Sequence, residues 1–302
     1  MLETGVGESG EFYRAHPLLN FLYFLFVIGV GMFTMHPVFL AAGFVCSWGY
    51  CLVLLGKKSL KLNLLILLPV VVLMTLFNTL NVHNGVTVLF YLNDNRITLE
   101  AVLYGLASAI LMTNIIVWFR CFTTIITADK FIYLFGRAAP ALALTLSMIL
   151  RYIPLLRNRF QEISMGQRCM GRVSKGRSLL KKLRLYGKEI SILIAWSLEA
   201  SIESADSMEA RGYGLHGRTN FHLFKLAGRE KGLMALMALL GGGTALACAM
   251  GKLNIYYYPT IICKALDGVQ WLALLAYTAL MLLPLVMDVR GWKTWNCLYA
   301  KM

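Results

Sequence analysis

The chain has 302 residues, 58% of them hydrophobic and only 15% charged, far from the roughly 45–50% apolar and 25% charged of soluble domains, so a soluble globular class is excluded. Lys and Arg outnumber Asp and Glu by 29 to 15, for a net charge of +14. In so apolar a chain that excess marks cytoplasmic loops and the lipid headgroups they face, and nucleic acid is not expected as a partner.

The first stretch, Met1 to His16, carries Glu3, Glu8 and Glu11 ahead of the first apolar run. It lacks the basic start and small-residue cleavage site of a signal peptide, so the first span is expected to stay attached. A spanning helix needs about 20 largely apolar residues. Leu18 to Met35 qualifies, His36-Pro37 forces a break, and Val38 to Leu55 follows at once. Gly56 to Lys61 then places three lysines, Lys57, Lys58 and Lys61, beside the next span, Leu62 to Leu80. Lysines beside short loops favour the cytoplasmic side, which puts the N-terminus inside.

The connection Asn81 to Thr98 then lies outside. It sets Asn84-Gly85 and Asn93-Asp94-Asn95 around the β-branched and aromatic run Val86 to Leu92. A short extracellular β-hairpin or lid fits that pattern, and so does an irregular polar loop. Leu99 to Phe119 returns the chain inside, where Arg120 is expected to stop it. Cys121 to Phe135, broken by Asp129-Lys130, reads as interfacial. Ala138 to Leu150 is short and interrupted by Pro140, Arg151 and Pro154, and reads as re-entrant, interfacial or buried.

From Arg151 to Lys188 basic residues crowd together, and such a run cannot cross a bilayer. Two amphipathic helices can be drawn here. In the first, Leu156, Phe160, Ile163 and Met170 fall on one stripe and Arg157, Gln161, Ser164, Arg168 and Arg172 on the opposite one. In the second, Ala195, Leu198, Ile202 and Ala205 form the apolar stripe, with Glu199, Glu203 and Asp206 acidic beside it. Val173 to Ser178 joins them as a turn. Gly232 to Met250 spans outward, Tyr256-Tyr257-Tyr258 supplies an outer aromatic belt, and Val269 to Met287 returns, anchored by Arg290, Trp292, Lys293 and Trp295.

The fold expected is therefore an all-α polytopic membrane protein with about six transmembrane helices, plus cytoplasmic amphipathic helices. Its parts are membrane helices over residues 1–119, a cytoplasmic or interfacial coupling region over 120–231, and membrane helices over 232–302, with both termini cytoplasmic in a prokaryotic cell membrane.

Catalytic and cofactor signatures are missing. The chain contains no phosphate-cradling glycine loop, no nucleophile elbow, no paired-histidine zinc motif and no CxxC. The five histidines lie apart, and the seven cysteines, Cys46, Cys51, Cys121, Cys169, Cys248, Cys263 and Cys297, read as small buried apolar residues. No metal, cofactor or enzymatic activity is expected. Ionisable residues are nearly absent from the spans, which disfavours a proton- or ion-coupled carrier, and Asn63, Asn78 and Asn114 are the most polar groups there.

What remains is Ala210-Arg211-Gly212 at the end of the second amphipathic helix. A small residue permits close approach, Arg offers a planar fork for a carboxylate, and Gly ends the helix in a left-handed cap. Taken alone, the triplet equally describes an ordinary capped helix with a solvated Arg. Extended to Ser207-Met208-Glu209-Ala210-Arg211-Gly212-Tyr213-Gly214, it resembles the transmembrane T component of energy-coupling factor transporters, the EcfT/CbiQ family. Further likeness lies in Val86 to Asn93, in Asp129-Lys130 with Tyr133 to Arg137, and in Pro140 through Arg151 to Pro154.

The resemblance implies a non-catalytic scaffold that couples two cytoplasmic ABC ATPases, as homodimer or heterodimer, to a membrane S component that captures a vitamin or metal ion. Two coupling helices would end in Ala-Arg-Gly-like triplets docked on the ATPases. The second triplet is intact as Ala210, Arg211 and Gly212. The first aligns with Cys169, Met170 and Gly171 after Gln167-Arg168, so Met170 stands where arginine is common. Arg168 or Arg172 would then supply the charge, or that contact would be packing alone. A self-contained permease or channel, and a membrane enzyme or sensor holding an anionic ligand on Lys181, Lys182 and Arg184, are the competing readings.

Overall fold

The computed structural model describes residues 10–82, 85–92, 95–136, 139–171, 179–215, 224, 226–251, 253, 255, 257 and 267–299. In chain order the elements are α1 (Glu11–Arg14), α2 (Pro17–Phe33), α3 (Pro37–Asn81), β1 (Val88–Leu92), β2 (Asn95–Thr98), α4 (Leu99–Ile125), α5 (Ala128–Gly136), α6 (Pro140–Cys169), α7 (Leu179–Ala210), α8 (Gly228–Ala249) and α9 (Gly268–Tyr299). They fall into two compact units, residues 1–127 with 224–302, and residues 128–223.

The first unit is a helical bundle in which α3 packs on α4 and α9, and α2 on α4 and α8. Two His-Pro pairs start its helices the same way: Pro17 and Pro37 sit at the first helical position, and the preceding imidazoles, His16 and His36, accept from the Leu18 and Val38 N–H groups at 3.2 and 3.3 Å. The ring thus satisfies one of the donors a helix start leaves open, while proline lacks one anyway. The hairpin corner inside α3 is one residue, Gly56, at φ 77° and ψ 176°. A β-carbon disfavours positive φ, so glycine turns the chain there.

Phe12, Tyr23, Phe24, Tyr50 and Trp118 form an aromatic centre, Tyr23 and Phe24 being 5.1 Å apart edge to face. The hydroxyls of Tyr23 and Tyr277 donate to the Met281 and Val27 carbonyls, each at 3.2 Å. Such bonds tie α2 to α9 where no water is available to satisfy a phenol.

The β-hairpin forms: β1 and β2 pair antiparallel, with Leu92 opposite Asn95 and an irregularity between Val88 and Phe90. Glu100, buried at the start of α4, accepts from the Thr87 N–H at 3.2 Å and hydroxyl at 2.7 Å, which fixes the hairpin base to that helix. Asn84, Asn93 and Asp94 lie outside the described residues, as do Tyr256 and Tyr258 of the expected aromatic belt. Tyr257 donates to the Met35 carbonyl at 2.7 Å.

Among the described residues, six helical segments are long and apolar enough to cross a membrane, but the set differs from the expected one. Residues 140–169 form a single 30-residue helix that qualifies, where the sequence reads as a short apolar piece followed by a separate amphipathic helix. Pro154 removes the bond its own N–H would make and its ring crowds the Leu150 carbonyl, yet the helix continues to Cys169. Conversely α2 has 17 residues, at the short end of the roughly 17–25 that span. Arg120 does not stop α4, which runs to Ile125 with Cys121 and Ile125 fully buried. Arginine is a good helix former, and its long side chain lets the head escape while the stem packs.

Two of the three asparagines pair within the bundle. Asn114 lies midway along α4, donating to the Leu40 carbonyl at 3.2 Å and accepting from Ser47 Oγ at 3.4 Å, so it joins α4 to α3. Asn63 donates to Cys51 Sγ at 3.2 Å across the α3 corner. Among the described residues, the span helices hold two buried carboxylates, Glu100 of α4 and Asp288 of α9. Asp288 of α9 is 3% exposed, accepts from the Phe12 N–H at 2.9 Å, and lies 3.5 Å from the Tyr50 hydroxyl. Its carboxylate thereby caps α1 from a distant helix.

Candidate functional site

The second unit holds α5, α6 and α7, with α6 packed on both neighbours. Pro140 starts α6 at a position that needs no N–H. On its later turns Arg159 bonds Glu162 at 2.7 Å and lies 4.9 Å from the ring centre of Trp196 on α7. This cation–π contact joins the two helices.

Both helices end alike. At the end of α7 the Gly212 N–H donates to the Glu209 carbonyl at 2.9 Å and the Tyr213 N–H to the Met208 carbonyl at 3.0 Å, with Gly212 at φ 79°. That pair of bonds is a Schellman cap, which needs a left-handed residue just beyond the helix. At the end of α6 the Gly171 N–H donates to the Arg168 carbonyl at 3.0 Å and Gly171 adopts φ 73°, the equivalent first bond and conformation. Met170 and Arg211 therefore occupy the same place, the last residue before the glycine. Both are exposed, and Met170 is 60% accessible.

Arg168, Cys169 and Gly171 on the first tip and Ala210 on the second are likewise exposed, whereas Gln167 is buried; Arg172 lies outside the described residues, with the linker Val173 to Ser178. Cys169 thus departs from the expectation that the cysteines are buried, while Cys51 and Cys121 meet it. Arg211 makes no ion pair among the described residues, and a cation near a helix C-terminus is favoured by the helix dipole. The tip therefore presents a guanidinium with all its donors available to an external carboxylate.

The apolar stripes come out differently from their sequence assignment. On α6, Leu156, Phe160 and Ile163 are half-buried as expected, but Met170 is not. On α7, Leu198 and Ile202 stay 62% and 65% exposed, and the residues withdrawn from solvent include Leu185, Glu189, Leu193, Trp196, Ala200 and Met208. The helix has apolar residues on more than one side, and periodicity does not reveal which side a neighbour will take. Glu199, Glu203 and Asp206 are exposed, as expected. On α5, Lys130 is buried, and the loss of solvent lowers its ammonium to about 8.

In the bundle unit, a cavity of about 790 Å³ opens between the two halves of α3 and α4. Its walls, from Pro37 and Leu40 to Trp48, Leu67 and Ile110, are almost entirely apolar. Among the described residues no three His, Cys, Asp or Glu side chains converge as metal ligands.

A family model described as "Cobalt transport protein", CbiQ, matches residues 11–223, a stretch that includes both tips and more than half of the chain. The chain belongs to the CbiQ family. The CbiQ-family chain is also 30% identical over 102 residues to the energy-coupling factor transporter transmembrane protein EcfT of Lactobacillus helveticus, a match covering 33% of this chain and 37% of that protein. It is 32% identical over 101 residues to the protein of the same name from Exiguobacterium sibiricum, covering 33% and 38% respectively. The matched stretch spans less than two fifths of either curated relative. Family and apolar helices together make this a multi-pass membrane protein.

Proposed function

We propose that the chain is the transmembrane scaffold of an energy-coupling factor importer. It passes ATP-driven motion from two cytoplasmic ABC ATPases to a separate membrane S component that carries a vitamin or a metal ion. ATP hydrolysis resides on the partners, both termini are cytoplasmic, and residues 120–231 form the coupling region.

The observation that carries this reading is the pair of exposed tips on α6 and α7, which share a left-handed glycine and its first cap bond in the same register. Packed helices move as rigid elements between few arrangements, so tips held in moving grooves drive the rest of each helix. Arg211 at one tip and Met170 at the other make the two contacts chemically unequal, which suits a heterodimeric ATPase pair. The test is a pull-down of the ATPase pair with the detergent-solubilised chain. Arg211→Glu abolishes association while membrane insertion is unchanged. Undiminished association of that variant overturns the docking role.

A further inference from the structure

We propose that the cavity between the two arms of α3 and α4 is a binding site for one diacyl phospholipid, drawn from the leaflet on the hairpin side and held as a resident of the bundle. Apart from Ile255 and Tyr257, its walls belong to three segments apolar enough to cross a membrane: Pro37–Lys57, Asn63–Asn81 and Leu99–Ile125. Phe44, Val45, Leu64, Leu68, Leu103 and Leu106 line it and are 38–70% exposed. The cavity is therefore a groove continuous with the surface that the spans present to lipid.

The groove is built into the packing. Near the hairpin end Gly105 lets the second arm of α3 come close: a β-carbon there would lie 3.2 Å from both the Thr75 carbonyl oxygen and Asn78 Cβ. Near the corner, Asn63 donates to Cys51 Sγ at 3.2 Å. With both ends fixed, a small shift does not close the space between. Left empty, it would deprive its lining of packing partners, and water does not settle in a dry apolar cavity. Inside a bilayer apolar surfaces gain nothing from leaving water, so fit to the groove decides what stays there.

Its dimensions select the occupant. From Pro37 to Trp48 on α3, and from Leu103 to Thr113 on α4, the walls run about 15–16 Å at 1.5 Å per residue. That is half of the roughly 30 Å hydrocarbon core, the depth of one leaflet. A volume of about 790 Å³ over that length gives a mean section of about 50 Å². An α-helix with its side chains is about 10–12 Å across and needs about 80 Å² or more, so a partner's helix cannot enter. Acyl chains packed at carbon contact distance take about 20 Å² each, and two fit side by side. The Thr113 and Tyr257 hydroxyls give their protons to the Ala109 and Met35 carbonyls at 2.8 and 2.7 Å, so neither donates into the groove. Tyr257 also marks the end at which the headgroup would lie, the level where aromatic side chains meet the interface.

The proposal stands apart from the ATPase reading, and its test contains no ATPase. The full chain is purified in dodecyl maltoside, delipidated by graded detergent washing, and weighed by native mass spectrometry, which identifies a retained molecule by its mass. One phospholipid per chain should survive washing that strips the rest. Ala41→Phe and Ala107→Phe each put a ring into the groove from opposite walls and should lower retention about tenfold, whereas Leu275→Trp, on the exposed face of α9, should leave it unchanged. No retained lipid, a fatty acid or isoprenoid in its place, retention indifferent to both ring variants, or equal loss in the Leu275 control each overturn it. Should neither ring variant insert, the unmodified chain decides alone: a phosphatidylcholine carrying a diazirine in its acyl chain, irradiated after the washing, should label peptides containing Leu40, Leu67 or Ile110, and labelling elsewhere or none refutes the site.

Discussion

One substitution, glycine to alanine, should act with opposite signs at two places in the α7 segment. At Gly212 the backbone sits at φ 79°, and an added β-carbon would lie 3.0 Å from Leu215 Cδ1. The left-handed conformation costs an L-residue about 1–2 kcal/mol, and the Leu215 contact adds to that cost. Opening of the cap should therefore become roughly 5- to 30-fold more frequent. At Gly187, helical and exposed with nothing within 4 Å of a β-carbon, the same change should stabilise by roughly 0.5–1 kcal/mol, because alanine loses less entropy on entering a helix. Native-state hydrogen exchange by mass spectrometry reads both. In G212A the amides of Gly212 and Tyr213, which close the cap, should exchange faster by that factor, while in G187A the surrounding turns should exchange more slowly. Unchanged exchange at the cap in G212A, or acceleration in G187A, would refute the conformational argument.

The Asp288 contact makes a sharper pair. Asp288→Ala leaves the buried Phe12 N–H without its acceptor, which costs about 1–3 kcal/mol, whereas Asp288→Asn keeps a carbonyl there and should recover more than half of the loss in thermal unfolding. Equal losses in the two variants would show that the acceptor is irrelevant. The two capping histidines set an acid limit. Burial lowers the imidazole of His16, partly opposed by the Glu230 carboxylate, and burial lowers that of His36 as well. Because the unfolded chain takes up these protons first, stability is full above the ordinary value of about 6.5 and falls as pH drops below it. In H16N/H36N, whose asparagines cap without titrating, the midpoint temperature should lose much of this acid dependence; a slope as steep as in the unsubstituted chain would exclude these residues as its source.

Much of the architecture is legible in the amino-acid order, because a bilayer imposes length and hydropathy on any segment that crosses it. The runs from Val38, Leu62, Leu99 and Val269 are such segments. The hairpin after Gly85 was one of two patterns the local vocabulary allowed. The glycine at the end of each tip is legible too, since only glycine readily adopts the left-handed cap.

What the order of residues leaves open depends on neighbours distant in the chain. Whether Pro154 ends a helix turns on what the flanking turns can sustain, and here they carry α6 through to Cys169. Asp288 looks like a flanking charge until Phe12, 276 positions away, brings its N–H to the carboxylate. Which side of α7 is covered was decided by what packs there, not by its pattern, since its apolar residues surround more of the helix than one neighbour can cover. Hydropathy and backbone conformation are properties of a segment and are written in it; burial and pairing belong to two segments at once, and only the folded chain sets them.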